Sequence, residues 1–237
     1  MFKIGDREIG RGARPYLIAE MSGNHNQSLD RALEIVDAAA ESGADAIKLQ
    51  TYTADTMTLN LRAPGFVIDD PSSLWHGRQL HELYDEAHTP WAWHAPIMER
   101  ARQHGIHCFS SPFDFSAVDF LETLDVPAYK IASFENTDLP LIEKVASTGK
   151  PMIISNGMAT IAEIGEAVSA AKRGGADSIV LLKCTSTYPA TPENSNLATI
   201  PNLAETFDCA VGLSDHTGGR GGAGRVDAGV GGEGLLR

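Results

Sequence analysis

The sequence predicts an α/β fold: a (β/α)8 barrel of the TIM type that lacks its last βα unit and carries a small N-terminal hairpin. Three observations predict it. Short apolar runs alternate with helical patterns along the chain, seven such runs can be counted, and they are apolar on both faces, as buried parallel strands require. No glycine-rich dinucleotide turn follows the first run, which disfavours the doubly wound alternative.

Taken in order, residues 2–14 precede the first strand and are expected to form a hairpin under the barrel floor. YLIAEM (16–21) is the first strand. Residues 28–42 form a helix capped by Ser28, with Leu29, Ala32, Leu33, Val36 and Ala40 at helical spacing and Gly43 as its stop. ADAIKLQT (44–51) is the second strand. Residues 52–90 form a long excursion holding Trp75, Tyr84 and several histidines, and loops of that length are usually functional. Helix 91–104 and strand 106–110 follow, then helix 116–123 and strand 127–132. Helix 138–148 and strand 151–155 come next. Helix 160–173 starts with a Thr160/Glu163 capping box and leads to strand 178–184. Helix 197–206 and strand 209–213 end the pattern. Residues 1–217 are thus read as one incomplete barrel domain. Residues 218–237 hold 9 of the 23 glycines and are expected to be a disordered, aberrant tail.

Composition sets further limits. The chain has 237 residues, with 19 Lys plus Arg against 31 Asp plus Glu, a net charge of −12. That balance argues against nucleic acid and against an anionic membrane surface. No apolar stretch spans a bilayer and no signal peptide is seen, so a cytoplasmic location is expected. Cys108, Cys184 and Cys209 are far apart in apolar runs and read as reduced core thiols.

In a parallel barrel the chemistry sits at the C-terminal strand ends. Those ends carry Glu20, Lys48, Gln50, Ser110, Ser111, Lys130, Ser133, Glu135, Ser155, Asn156, Lys183, Thr185, Ser186, Ser214 and His216. Lys48, Lys130 and Lys183 end the second, fourth and sixth strands. Each could snorkel or pair with a carboxylate, but three converging in an acidic protein favour a bound phosphate or carboxylate, with serine hydroxyls as further donors. Glu20 and Glu135 could balance the lysines or act as general acid and base. His216 is a surface residue, a metal ligand or a catalytic group. Cys184 lacks an obvious adjacent base and reads as core. His25 lies in a polar loop facing the same rim, and His76, His81, His88 and His94 read as solvated or loop-packing.

Seven blocks carry a resemblance: IAEMSGNHNQSLDRALEIVDAA, GADAIKLQTYTADTMTL, SSPFD, VPAYKIASFENTDLPLI, KPMIISNGMAT, LLKCTSTYPATPENSNL and VGLSDHTGG. In family order over residues 13–219, they resemble the sialic acid synthase family, and its pseudaminic branch most. The resemblance implies a transferase that condenses phosphoenolpyruvate with an acetamido sugar. For that branch the sugar is 2,4-diacetamido-2,4,6-trideoxy-L-altrose and the products are pseudaminic acid and phosphate. The N-acetylneuraminate and legionaminate branches, and an inactive remnant, are the alternatives, and a Schiff-base aldolase using Lys130 or Lys183 is a third. The resemblance implies that Lys48, Lys130, Ser133, Ser155, Ser186 and Ser214 hold phosphoenolpyruvate. Glu20, Gln50, Glu135 and Tyr188 would face the sugar and the reacting carbons. A divalent metal, Mn2+ or Mg2+, would bind two histidines, one of them His216. The family is homodimeric, and a C-terminal antifreeze-like domain supplies an arginine to the partner's site. That domain and the second metal histidine are expected to be missing here, as if residue 218 onward were a frameshifted reading of the eighth unit.

Overall fold

The computed structural model describes residues 1–71, 73–187, 190–217 and, as backbone, 233–236. Two short strands, β1 (Phe2–Ile4) and β2 (Arg7–Ile9), pair antiparallel into the expected hairpin. Ile4 and Ile9 are buried beneath the barrel. Gly5 turns the hairpin at φ +57°, and a Cβ there would lie 2.2 Å from His107 Nε2. Both the backbone conformation and the close approach therefore require glycine. Asp45 ties the hairpin to the barrel: its carboxylate accepts from Arg7, from Arg14 and, at 2.9 Å, from the Leu17 amide.

Seven parallel strands follow: β3 (Tyr16–Glu20), β4 (Ala46–Thr51), β5 (His107–Pro112), β6 (Tyr129–Ile131), β7 (Met152–Ser155), β8 (Ile179–Cys184) and β9 (Ala210–Ser214). Each pairs with its sequence neighbour in the order expected of a parallel barrel. The helices on the outside are α1 (Leu29–Glu41), α4 (His94–Gln103), α5 (Phe115–Thr123), α6 (Leu139–Ala146), α7 (Ile161–Arg173) and α8 (Thr199–Phe207). The excursion 52–90 carries two more, α2 (Ala54–Met57) and α3 (Leu80–Ala87), beside the C-terminal mouth.

Local chemistry starts these helices where the sequence places them. Ser28 Oγ accepts from the Arg31 amide, Asp114 from Ser116 and Ala117, and Asp138 from Leu141. Thr160 and Glu163 form the predicted reciprocal box. Ile47, Leu49 and Cys108 point outward onto Val36, Ile97 and Ala101 of α1 and α4. The larger core runs through the barrel and under α5, α6 and α7, with Phe109, Ile131, Ile153 and Leu181 fully buried. The three cysteines are free thiols, and burial pushes Cys108 up to about 12.

Edges β3 and β9 are not left open, as a seven-strand sheet would leave them. Glu233–Leu236 forms β10, antiparallel to both, and completes the ring. Unpaired backbone groups on two facing edges favour any segment that can bridge them. The rest of the tail expected to be disordered, 218–232 and 237, lies outside the described residues. No helix among the described residues is long and apolar enough to cross a membrane.

Candidate active site

Alternation along the strands decides which polar side chains meet at the mouth. On β4, Lys48 and Gln50 point inward while Ile47, Leu49 and Thr51 point toward the helices. Lys48 is 1% exposed and ion-paired with Glu20, the residue beside it in register on β3. Its ammonium also donates to Ser111 Oγ at 3.4 Å. Gln50 Oε1 accepts from Ser22 at 3.4 Å. Lys130 enters from β6 and is 2% exposed. Ser133 and Glu135 stand on the single 3-10 turn that follows, and Ser155 ends β7.

Lys48, Gln50, Lys130, Ser133, Ser155 and His216 line one cavity of about 190 Å³. Ser155 Oγ is buried there without a hydrogen-bond partner among the described residues. Ser214 lies beneath and is 3.3 Å from His216 Nε2. The floor thus presents two ammonium groups and several hydroxyls, the donor set an anion needs. Above it stands a wall of Tyr52, Met57, Tyr84 and Phe113. Tyr52 packs edge-on against both Tyr84 and Phe113. Burial, with Tyr84 beside it, pushes Tyr52 up to about 12.

Glu135 has one buried carboxylate oxygen, Oε2, without a hydrogen-bond partner among the described residues. Burial raises its pKa above the usual carboxylate range, and Asp138 adds to this. Its own backbone amide and the Lys130 charge pull the other way and do not cancel it. A carboxyl so placed can carry a proton toward neutral pH.

The structure separates two other predicted residues from this group. Ser110 points outward and forms a buried chain with Thr51 Oγ1 at 2.6 Å, which in turn meets His94 Nε2 at 2.8 Å. Its neighbour Ser111 takes the inward place. His94 is fully buried here, not solvated, and burial lowers its pKa to about 4. Lys183 also points outward: Ser155 pairs in register with Leu182, so Leu182 and Cys184 share the inner face and Lys183 the outer one. Two lysines converge, not three. Ser186 sits between, with Oγ 3.0 Å from Ser133 Oγ. Tyr188 lies outside the described residues.

Sequence reasoning missed Ser111 as a partner of Lys48 and the wall of Tyr52, Tyr84, Met57 and Phe113. Tyr52 and Phe113 follow directly on strands β4 and β5, a position that could have marked them. Nothing in the spacing of the excursion marks Tyr84 as facing inward.

A divalent metal needs several donors, and magnesium prefers carboxylate and water oxygens. The described residues bring His216 to the mouth, but no group of three or more His, Cys, Asp or Glu side chains that could hold a metal occurs among them. They do not complete a metal site by themselves.

Comparison with known proteins gives a consistent match. The chain is 49% identical over 203 residues to a pseudaminic acid synthase of Helicobacter pylori, covering 86% of this chain and 59% of that one. It is 48% identical to a pseudaminic acid synthase of Campylobacter jejuni, with the same coverage. An N,N'-diacetyllegionaminic acid synthase of Legionella pneumophila is 38% identical over 221 residues, covering 90% of this chain and 60% of that one. This chain therefore spans about three-fifths of these relatives' length. The crystal structure of N-acetylneuraminic acid synthetase from Leptospira borgpetersenii superposes with a TM-score of 0.81 at 30% identity, over 92% of this chain and 70% of that one. The NeuB family matches residues 35–229, most of the sequence, and the chain belongs to that family, the sialic acid synthases.

Proposed function

We propose that this barrel serves a phosphoenolpyruvate-dependent condensation with an open-chain acetamido sugar, of the pseudaminic type. The observation that carries the reading is the pair of buried ammonium groups, Lys48 and Lys130, at the floor of one cavity with Ser133 and Ser155. An anionic donor relieves the cost of holding two such charges in an acidic protein. The identity to pseudaminic acid synthases, higher than to the legionaminic type, favours the diacetamido-trideoxy-altrose as acceptor.

In this reading the donor's phosphate and carboxylate lie on Lys48, Lys130 and the hydroxyls, and the sugar lies against Gln50, Glu135 and the aromatic wall. Carbon 3 of the enol attacks the aldehyde carbon, and Glu135 gives a proton to the aldehyde oxygen. The cation left at carbon 2 takes water, whose proton returns to Glu135. The carbon 2 hydroxyl then gives its proton to the departing phosphate, its oxygen forms the keto C=O, and the bond from carbon 2 to the phosphate oxygen breaks. Glu20 holds Lys48 in place and offsets its charge. The metal expectation rests on His216 alone, and manganese-induced broadening of its ring proton resonances tests that.

Phosphate release is the direct test of the reaction. The chain is supplied with phosphoenolpyruvate and the diacetamido sugar, with N-acetylmannosamine as the control. Release with the first sugar and not the second is expected. Release with N-acetylmannosamine alone would assign the chain to another branch, and a borohydride-trapped pyruvate adduct would replace the mechanism.

A further inference from the structure

A second cleft, of about 660 Å³, opens on the outer side of β7 and β8, between α7 and α8. Lys183 lies in it, 7% exposed. Its partner there is Thr185 Oγ1, to which it donates one proton. An ammonium has three. The other two buried lysines have acids against them, Glu20 at Lys48 and Glu135 near Lys130. At Lys183 no carboxylate among the described residues takes that place, although the chain has 31 acids.

Asn156 lines the same cleft, with its Nδ2 buried and without a hydrogen-bond partner among the described residues. The Asn156 amide thus keeps donor capacity that no described residue uses, beside an ammonium with no described acid against it. Ile161 and Met158, both more than half exposed, form an apolar shoulder, and Asn202 stands at the opposite side. The volume suits a molecule of monosaccharide size.

We propose that this cleft, which adjoins the central cavity at Cys184 and Ser186, is a binding site for a small oxyanion, with Lys183 as its counter-charge and Asn156 as a second donor. Burial holds the Lys183 ammonium below the usual lysine range, and an anion beside it would reverse that shift. A carboxylate and a phosphate share this chemistry.

Equilibrium dialysis of the full chain, against inorganic phosphate and separately against gluconate, tests the site and distinguishes the two. With at least one of them, a bound population is expected that falls at least about tenfold in Lys183→Met, the loss of one charge-assisted contact. Asn202→Asp, an exposed change that adds a carboxylate to the cleft and leaves the central cavity untouched, is expected to weaken the same population. It serves alone should Lys183→Met fail to fold. Loss with phosphate identifies a phosphoryl ligand, and loss with gluconate a sugar acid. Absence of binding by either anion, or binding that these variants leave unchanged, overturns the proposal.

Discussion

Removing the Lys48 ammonium while leaving Glu20 should be among the costliest single changes in this chain. Lys48 is 1% exposed, and the Glu20 side chain is 18% exposed. Breaking a buried pair on one side costs about 3–5 kcal/mol, because the remaining charge has lost its partner. Glu20 keeps some contact with water, so Lys48→Met is expected near the lower end, about 3 kcal/mol. For a domain of this size that lowers the melting temperature by roughly 6–12 °C. Glu20→Gln alone should cost a similar amount, since it strands the ammonium. The double variant removes both charges and is expected within about 1 kcal/mol of the native chain, as buried pairs replaced together often are. Urea unfolding of all four proteins gives the cycle. A double variant that loses the sum of the two single losses would show that the pair is not coupled, and the assignment of Glu20 as the group that holds Lys48 would fail.

Glu135→Gln is expected to lower turnover by about 10²- to 10⁴-fold, the usual worth of a general acid–base. It should also be more stable than the native chain at pH 7 and equal to it at pH 4. The Glu135 pKa is raised in the fold, so the native chain holds a proton that the unfolded chain has lost once pH exceeds the ordinary value near 4.5, and stability falls as pH rises through that window. Melting curves at the two pH values check the sign. His94 behaves oppositely. Its folded pKa of about 4 lies below the ordinary 6.5, so its contribution is complete above pH 6.5 and is lost on acidification toward pH 4. The loss is on the order of 3 kcal/mol. An NMR titration in which the His94 ring protonates above pH 6 would refute its buried, neutral state.

The barrel was legible because its strands are short apolar runs and its helices begin at Ser28, Asp138 and Thr160, whose side chains cap as their chemistry dictates. The site was legible to the level of strand ends and no further. Runs such as IVLLKC and HCFSSP are apolar on both faces, so they show no alternation from which to tell inward from outward. A one-residue difference in parity therefore exchanged Ser111 for Ser110 and turned Lys183 away from Lys48 and Lys130. Register supplies the missing information: Ser155 beside Leu182 fixes the parity of β8. His94 looked like one polar residue among many, and only the packing of α4 on Thr51 and Ser110 buries it. The pairing of Glu233–Leu236 had no sequence signal, since four residues after a glycine-rich stretch show no strand pattern and derive their strand from the two edges they meet.

Calorimetric titration of phosphoenolpyruvate into the chain bears most directly on the central claim, that Lys48 and Lys130 grip one anion while Lys183 faces elsewhere. Native protein and Lys183→Met are expected to bind the compound at the central cavity with the same affinity, and Lys130→Met about 10- to 100-fold more weakly. Affinity that survives Lys130→Met but collapses in Lys183→Met would contradict the account.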